Sequence, residues 1–259
     1  MFLTKKEKKI SQEYLNKGFV IQDINNINAL NWISNFFLKN IKGKNNFKKN
    51  EDFLNNIHKK IKVTNLNDFR LNLIKKMNQS QTFRENFYQI SKNLVDMVVG
   101  NEVVMQKNIS LSIQMPKDDS SLLPVHADTW TGVSPYESVI WLPLVNCFNS
   151  KSMFILPANK LKKIKNIFKE KKILNSDDIF KKIKKDIIWL NVKFGQVVIF
   201  DHSLPHGNII NKEKETRWSM NCRFKSIFTP YRDKKLGEYY EPITLKPASK
   251  RGMEYKFPK

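Results

Sequence analysis

Apolar residues recur at helical spacing through most of the first hundred residues. The clearest stripe runs along residues 83–98 and consists of Phe83, Phe87, Ile90, Leu94 and Met97. Similar spacing predicts helices at residues 5–17, 28–38, 53–61 and 69–77, and a short strand at residues 18–21. A lysine- and asparagine-rich stretch at residues 42–50 predicts a solvated loop. One-sided apolar stripes of this kind indicate helices that pack against a core.

The pattern changes to that of strands after Gly100. Apolar and polar residues alternate over residues 108–115, which predicts a strand with one apolar and one polar face. Residues 137–146 are apolar almost throughout, as expected for a strand that is covered on both sides. Shorter strands are predicted at residues 152–157, 189–192 and 196–200. Residues 159–185 are interpreted as one or two basic helices inserted between strands.

Strict alternation returns in residues 217–225. The polar positions of this predicted strand are Arg217, Ser219, Asn221, Arg223 and Lys225, and every position between them is apolar. The simplest interpretation is an edge strand whose polar face meets water. The alternative is that the polar face lines a pocket. The tail that follows Tyr231 is polar and is predicted to form loops over the domain.

Length and composition favour one domain that stays in the cytoplasm. A chain of 259 residues can bury one substantial core, and no shift in composition marks a second domain. Neither a long apolar run nor a signal peptide is visible, so no membrane span is expected. The two cysteines, Cys147 and Cys222, cannot form a disulfide framework and are interpreted as core residues.

The net charge of +22 has several possible origins. Abundant lysine, asparagine and isoleucine suggest AT-rich codons, which would make the charge a by-product of base composition. Lysines are scattered over the predicted helices instead of forming one face, and no nucleic-acid-binding motif is present, so we expect no nucleic-acid partner. A small anionic substrate remains compatible with the charge.

Candidate chemistry is concentrated in two short segments that contain three of the four histidines. His126 and Asp128 are two residues apart, so an extended chain points both side chains the same way. Two histidines and one carboxylate on one face of an iron(II) ion leave its other positions open. His202 and His206 in the second segment are rivals for the third ligand. Alternatively, these histidines only form hydrogen bonds that cap turns.

Together these residues resemble the phytanoyl-CoA dioxygenase-like branch of the iron(II)/2-oxoglutarate oxygenases. The resemblance runs through His126-x-Asp128, residues 139–145, 152–157 and 195–206, and Arg217, which follows His206 by eleven residues. Residues 126–130 also resemble oxygenases found sporadically among bacterial carbohydrate-biosynthesis genes. The resemblance implies a mainly β fold with flanking α, an eight-stranded double-stranded β-helix (a cupin-like jelly roll) with N-terminal helices and a helical insertion. It implies one oxygenase domain over residues 1–259: a mostly helical half (1–100), a jelly-roll core (101–231) and a tail (232–259).

The resemblance also implies roles for individual residues. His126, Asp128 and His206 would bind Fe(II) and form the catalytic centre, with 2-oxoglutarate and O2 as co-substrates. Arg217 would hold the far carboxylate of 2-oxoglutarate, because a guanidinium binds a carboxylate in two-pronged fashion. Arg223, on the same predicted face, is the reserve for that role or a substrate contact. Gln114 is a further candidate contact, although an ordinary solvent-facing glutamine explains it equally well.

The function implied is hydroxylation of a carbohydrate-related or other small-molecule intermediate. Desaturation, epimerisation and oxidative ring closure are alternatives that start from the same centre. A nucleotide sugar or a lipid-linked sugar would suit the positive charge. The competing interpretation is a non-enzymatic jelly-roll module that binds polyanions through its basic surface.

Overall fold

Amphipathic helices form most of the N-terminal part of the structure, a computed structural model that describes residues 2–41, 50–169 and 175–258. These helices are α1 (Lys5–Lys17), α2 (Ile27–Asn40), α3 (Asn50–Asn55), α4 (Leu66–Asn78) and α5 (Gln81–Val98). Four of them match predicted helices to within a few residues. The helix predicted at residues 53–61 is instead the short α3 followed by a 3-10 turn at Ile57–Lys59. The predicted loop at residues 42–50 lies outside the described residues, apart from Asn50.

Antiparallel strands make up the rest of the framework. In the described chain they are β1 (Phe19–Asp23), β2 (Val103–Gln106), β3 (Ser110–Gln114), β4 (Ser138–Pro143), β5 (Phe154–Ile155), β6 (Ile188–Trp189), β7 (Gln196–Asp201), β8 (His206–Gly207), β9 (Arg217–Ser226) and β10 (Tyr240–Pro242). The main sheet has the order β1-β7-β4-β9-β2-β10, and β3 also pairs with β9. A second, smaller sheet has the order β6-β5-β8.

The two sheets form the double-stranded β-helix that the sequence predicts. They do not close into a barrel, and helices contain more residues than strands. The described part of the chain has ten strands instead of eight, because β1 and β10 extend the main sheet at its two edges. The predicted fold class is confirmed.

The two faces of β9 explain where the core and the cavity lie. Trp218 on its apolar face is fully buried, stacks edge-on against Phe37 and Phe69, and donates its indole N–H to the Leu54 carbonyl at 2.9 Å. Burial of such an aromatic side chain stabilises a fold by roughly 1.5–3 kcal/mol. The opposite, polar face lines a cavity. Of the two interpretations of this alternation, the pocket is therefore the correct one.

The inserted region is helical, as predicted. Helices α6 (Leu161–Lys169) and α7 (Ser176–Ile183) bury isoleucines against the second sheet, while residues 170–174 lie outside the described part. Their lysines face away from this packing surface. The insertion therefore covers the smaller sheet.

The predicted tail of loops after Tyr231 is wrong in two places. Residues 240–242 form β10, and Pro247–Glu254 forms helix α8, with proline at its first turn. Tyr240 is fully buried in a small cluster with Val104 and Ile227, which anchors the strand. Helix α8 buries no side chain, so the sequence contains no apolar stripe that could have predicted it.

No described helix is long and apolar enough to span a membrane.

Candidate metal centre

His126 and His206 face each other across paired backbone segments. The backbone N–H of His126 donates to the His206 carbonyl at 3.0 Å, and the return bond measures 2.8 Å. The glycine after His206 allows this approach, because a Cβ at Gly207 would lie only 2.7 Å from the Leu123 carbonyl oxygen. The imidazole ring centroids are 4.3 Å apart. Two segments that are eighty residues apart in sequence thus present their histidines together.

Asp128 completes the group from the end of the His126 segment. Its backbone N–H donates to the His202 carbonyl at 3.0 Å, and the chain then enters a 3-10 turn, Asp128–Thr131. One ligand atom from each of His126, Asp128 and His206 lies within 4.8 Å of the other two. His126 Nε2 and Asp128 Oδ1 are 3.9 Å apart. The structure therefore brings together the three residues that the sequence analysis selected.

Backbone carbonyls fix which nitrogen of each histidine is free. His126 Nδ1 lies 2.8 Å from the Pro124 carbonyl oxygen, and His206 Nδ1 lies 2.8 Å from that of Leu204. Because Nδ1–H donates in both rings, each Nε2 keeps its lone pair for a metal. Burial, followed by the neighbouring His126, lowers the pKa of His206 to about 4. His206 is thus the neutral imidazole that a metal ligand must be.

A half-buried ion pair holds Asp128 in its charged form. Burial alone would raise the pKa of Asp128, but the neighbouring His202 imidazole and the Arg223 guanidinium together hold that pKa well below its usual range. Arg223 Nη2 donates to Asp128 Oδ2 at 2.7 Å, and His202 Nδ1 is 3.4 Å from the same oxygen. Oδ2 is thereby occupied. Oδ1, which lies near His126 Nε2, remains available for a metal.

The contacts of Arg223 and His202 do not support the roles that the sequence suggested for these two residues. Arg223 Nε lies 3.9 Å from Oε2 of Glu137, so its guanidinium stands between two carboxylates. This engagement gives no support to Arg223 as a reserve clamp for the co-substrate. His202 is fully buried behind Asp128 with its Nε2 2.9 Å from the Ser134 carbonyl oxygen. It does not belong to the ligand group in the described chain.

We expect Arg223→Met to weaken metal binding about 10- to 100-fold, because the variant removes the hydrogen bond that orients Asp128. The metal affinity of Arg223→Lys should lie between those of Arg223→Met and the wild type, because lysine keeps the positive charge but lacks the planar fork of the guanidinium. Binding of Ni²⁺, measured by calorimetry, is the test, and Arg232→Met at an exposed position is the control. Equal nickel affinity in all four proteins would show that Arg223 does not position Asp128.

The three candidate ligands open onto a cavity of about 550 Å³. Its wall combines the polar face of β9, the serines of β3 and the loop of residues 120–123. Apolar side chains from β4 and β7 close another side. A cavity of this size holds a small organic molecule.

Arg217 reaches this cavity as an unpaired buried cation. Its side chain is only 3% exposed, and within the described chain it forms no ion pair with a carboxylate. Its Nη2 donates to Ser112 Oγ at 2.9 Å, its Nη1 donates to the Ser152 carbonyl at 3.4 Å, and its Nε has no partner. Burial lowers the pKa of Arg217 to about 10. An uncompensated buried charge is costly, so this site favours an anionic ligand.

Gln114 lies next to Arg217 in the β3–β9 pairing but is not part of the cavity wall. It is fully buried, and its amide donates to the Ile209 carbonyl at 2.8 Å. The solvent-facing alternative is therefore wrong. The predicted contact with the co-substrate stays a prediction without support from this position.

Two charged residues of the site were missed by the sequence analysis. Glu137 stands at the head of an otherwise apolar strand, and Arg70 lies within the apolar stripe of α4. In both cases the signal was a charge at a position where the surrounding pattern requires burial. Such a charge needs a partner, and both residues lie beside the site.

Comparison with known proteins gives matches among solved structures alone: no family model and no curated protein matches the sequence. A nickel complex of the non-heme monooxygenase ThoJ matches with a TM-score of 0.56 and 11% identity over 93% of this chain and 85% of that one. The epimerase SnoN, in complex with Fe³⁺, alpha-ketoglutarate and nogalamycin RO, matches with a TM-score of 0.56 and 12% identity over 93% and 96%. HygX from Streptomyces hygroscopicus, with nickel and 2-oxoglutarate bound, matches with a TM-score of 0.51 and 9% identity over 90% of each chain.

At these identities the similarity establishes the fold. The protein has the fold of the non-heme iron and 2-oxoglutarate-dependent enzymes, as the resemblance in sequence implies. Fold and site together define a double-stranded β-helix protein whose cavity holds two histidines, one carboxylate and a buried arginine.

Proposed function

We propose that the protein is an Fe(II)/2-oxoglutarate-dependent oxygenase. The observation that carries this proposal is Arg217, a buried cation without a carboxylate partner, in the same cavity as His126, Asp128 and His206. Two histidines and a carboxylate also occur in catalytic zinc sites, so the ligand set alone does not choose the chemistry. Binding of a keto acid that has a second carboxylate would use both: the metal for the keto acid end and the arginine for the second carboxylate.

The residues present fit iron(II). Two neutral imidazoles and one ionised carboxylate are the donor set of non-haem iron(II) oxygenases, and Oδ1 of Asp128 is the carboxylate oxygen left free by Arg223. When bound, iron(II) supplies activation of O2, coupled to oxidative decarboxylation of 2-oxoglutarate to succinate. His126, Asp128 and His206 would hold the ion. Its positions on the cavity side would remain for the co-substrates.

Arg217 would orient 2-oxoglutarate by its far carboxylate. Its unpartnered Nε and its fork can donate parallel hydrogen bonds to both carboxylate oxygens. Trp141, Met153 and Phe200 contribute apolar surface to the same cavity, and an ion pair formed beside apolar surface is stronger than one in water. The keto acid end would thereby point toward the metal ligands.

Hydroxylation is the reaction outcome that we propose, with a carbohydrate-related small molecule as substrate. The structural neighbours include a monooxygenase and an epimerase, so this fold supports more than one outcome in other proteins. The substrate proposal is supported by the sequence resemblance of residues 126–130 and by a cavity that is polar on the β3 and β9 sides.

Anaerobic titration tests the proposal directly. Adding 2-oxoglutarate to the Fe(II)-loaded protein should produce the visible charge-transfer band of a keto acid chelated to iron(II). Exposure to O2 should then yield succinate in proportion to the 2-oxoglutarate consumed. Absence of both signals, together with binding to polyanions that falls steeply with salt, would support the non-enzymatic binding module instead.

A further inference from the structure

Arg70 occupies an unusual place on helix α4. The core-facing stripe of this helix is formed by Leu66, Leu73 and Met77, and Arg70 lies between them at helical spacing. A charged residue is uncommon at such a position, and Arg70 is half-buried there. Here the side chain reaches the cavity wall beside β3. Its position therefore points to a ligand.

The contacts of Arg70 leave most of its donors free. Its Nη2 donates to the side-chain oxygen of Asn67 at 2.8 Å, a neutral partner. Its Nε is buried and has no partner. Across the described ranges, no carboxylate lies within ion-pair distance of its guanidinium. Since a guanidinium carries five N–H donors, Arg70 can bind an anion without breaking an existing ion pair.

The cavity wall near Arg70 is suited to a polar ligand. Ser110 and Ser112 of β3 and Ser120 and Ser121 of the neighbouring loop carry hydroxyl groups into this wall. Asp118 fixes that loop, because its Oδ1 accepts hydrogen bonds from the backbone N–H and the hydroxyl of Ser120 at 2.8 and 2.6 Å. The loop therefore holds its serines in place.

The three arginines that line the cavity differ in whether they have a carboxylate partner. Arg223 is paired with Asp128 and also faces Glu137, whereas Arg217 and Arg70 have no carboxylate partner in the described chain. In the function proposed above, 2-oxoglutarate uses one carboxylate at the metal and the other at Arg217. One cationic group, Arg70, then remains for a second ligand.

We propose that Arg70 determines specificity by binding an anionic group, a carboxylate or a phosphate, on the primary substrate. This inference rests on the proposed function and narrows its substrate class. Arg70 and the serine hydroxyls would bind the anion at one side of the cavity, while the rest of the substrate extends toward the centre formed by His126, Asp128 and His206.

Binding of three hexose probes of similar size tests the inference without turnover. The protein, loaded with Ni²⁺ and 2-oxoglutarate, is titrated with glucose 1-phosphate, glucuronate and methyl glucoside, and binding is followed by calorimetry. We expect at least one anionic probe to bind more tightly than the neutral one. Arg70→Gln should weaken that binding about 10- to 100-fold, as expected for loss of a hydrogen-bonded charge. The probe that binds distinguishes phosphate from carboxylate.

Lys75→Gln is the matched control. It removes the same charge from an exposed position of the same helix, and Lys75 is not part of the cavity wall. Equal anion affinity in Arg70→Gln and the wild type, or no preference for the anionic probes, would overturn the inference. The affinity for 2-oxoglutarate should be unchanged in both variants. Loss of that affinity in Arg70→Gln would make Arg70 the co-substrate clamp and also overturn the inference, whereas a wild type that does not bind 2-oxoglutarate would refute the proposed function itself.

Discussion

Replacement of Asp128 by alanine is expected to abolish iron-dependent succinate formation, and His126→Ala and His206→Ala should do the same. Each change removes one of only three protein donors, so its effect should exceed the roughly 10- to 100-fold loss typical of residues that merely orient a ligand. Succinate released from 2-oxoglutarate under saturating Fe(II) is the readout. Ni²⁺ affinity, measured in parallel, should fall in all three variants.

His58→Gln provides the control for these histidine replacements. His58 belongs neither to the ligand group nor to the cavity wall, and its Nδ1 is 2.9 Å from the hydroxyl of Thr216. The His58→Gln variant should retain wild-type turnover. Circular dichroism checks that each variant remains folded, which matters most for His206→Ala because His206 is buried, whereas His126 is partly exposed. Full turnover by any one of the three alanine variants would show that its residue is not a metal ligand.

The centre could be predicted because its signals are local in sequence. His126 and Asp128 are two residues apart, and Gly207 marks the close approach that brings His206 to them. The alternation in β9 similarly fixes which side chains share a face. These features depend on backbone geometry over a few residues, but the choice of His206 over His202 as the third ligand came from the resemblance to the iron(II)/2-oxoglutarate oxygenases.

The network around the centre depends on contacts that no local pattern specifies. Arg223 lies 95 residues from Asp128 in sequence, and its pairing with that residue follows from the register of β9 against β4. Without that register, Arg223 remains a reserve candidate for the clamp beside Arg217. Only the three-dimensional structure shows that Arg223 already has a carboxylate partner.

Polar tail segments were mispredicted for a related reason. Strand β10 is held by backbone pairing with β2 and by the burial of Tyr240, both of which involve residues about 135 positions away. A three-residue strand with one buried side chain has no periodicity of its own. Its formation is decided by the edge of the sheet that it joins.

Arg223 and Arg217 differ in whether a carboxylate of the protein compensates their charge. Arg223 stabilises the charged form of Asp128, and Asp128 in turn raises the pKa of Arg223 against the effect of burial. Arg217 has no such partner, and burial lowers its pKa. A cation held at this cost without a carboxylate is a feature expected at a ligand site and not in a core that serves stability alone.

Arg217→Met is therefore expected to weaken 2-oxoglutarate binding on the order of 100-fold while it leaves Ni²⁺ affinity unchanged. The variant removes the charged, two-pronged partner of the far carboxylate, and hydrogen bonds to charged groups contribute about 1.5–3 kcal/mol. Arg217→Lys should recover only part of the affinity. The measurement is the 2-oxoglutarate dependence of the charge-transfer band under anaerobic conditions.

A second keto acid separates loss of this contact from general damage to the site. 2-Oxopentanoate keeps the keto acid end of 2-oxoglutarate but lacks the far carboxylate, so the wild type should bind it about 100-fold more weakly, whereas Arg217→Met should bind both compounds alike. The free energy of unfolding of the metal-free variant should not fall greatly, since methionine removes an unpaired buried charge and only two hydrogen bonds, both to neutral acceptors: the Ser112 hydroxyl and the Ser152 carbonyl. If Arg217→Met still prefers 2-oxoglutarate, another cation of the cavity holds the carboxylate, and Arg70 is the next one to replace because Arg223 is already paired with Asp128.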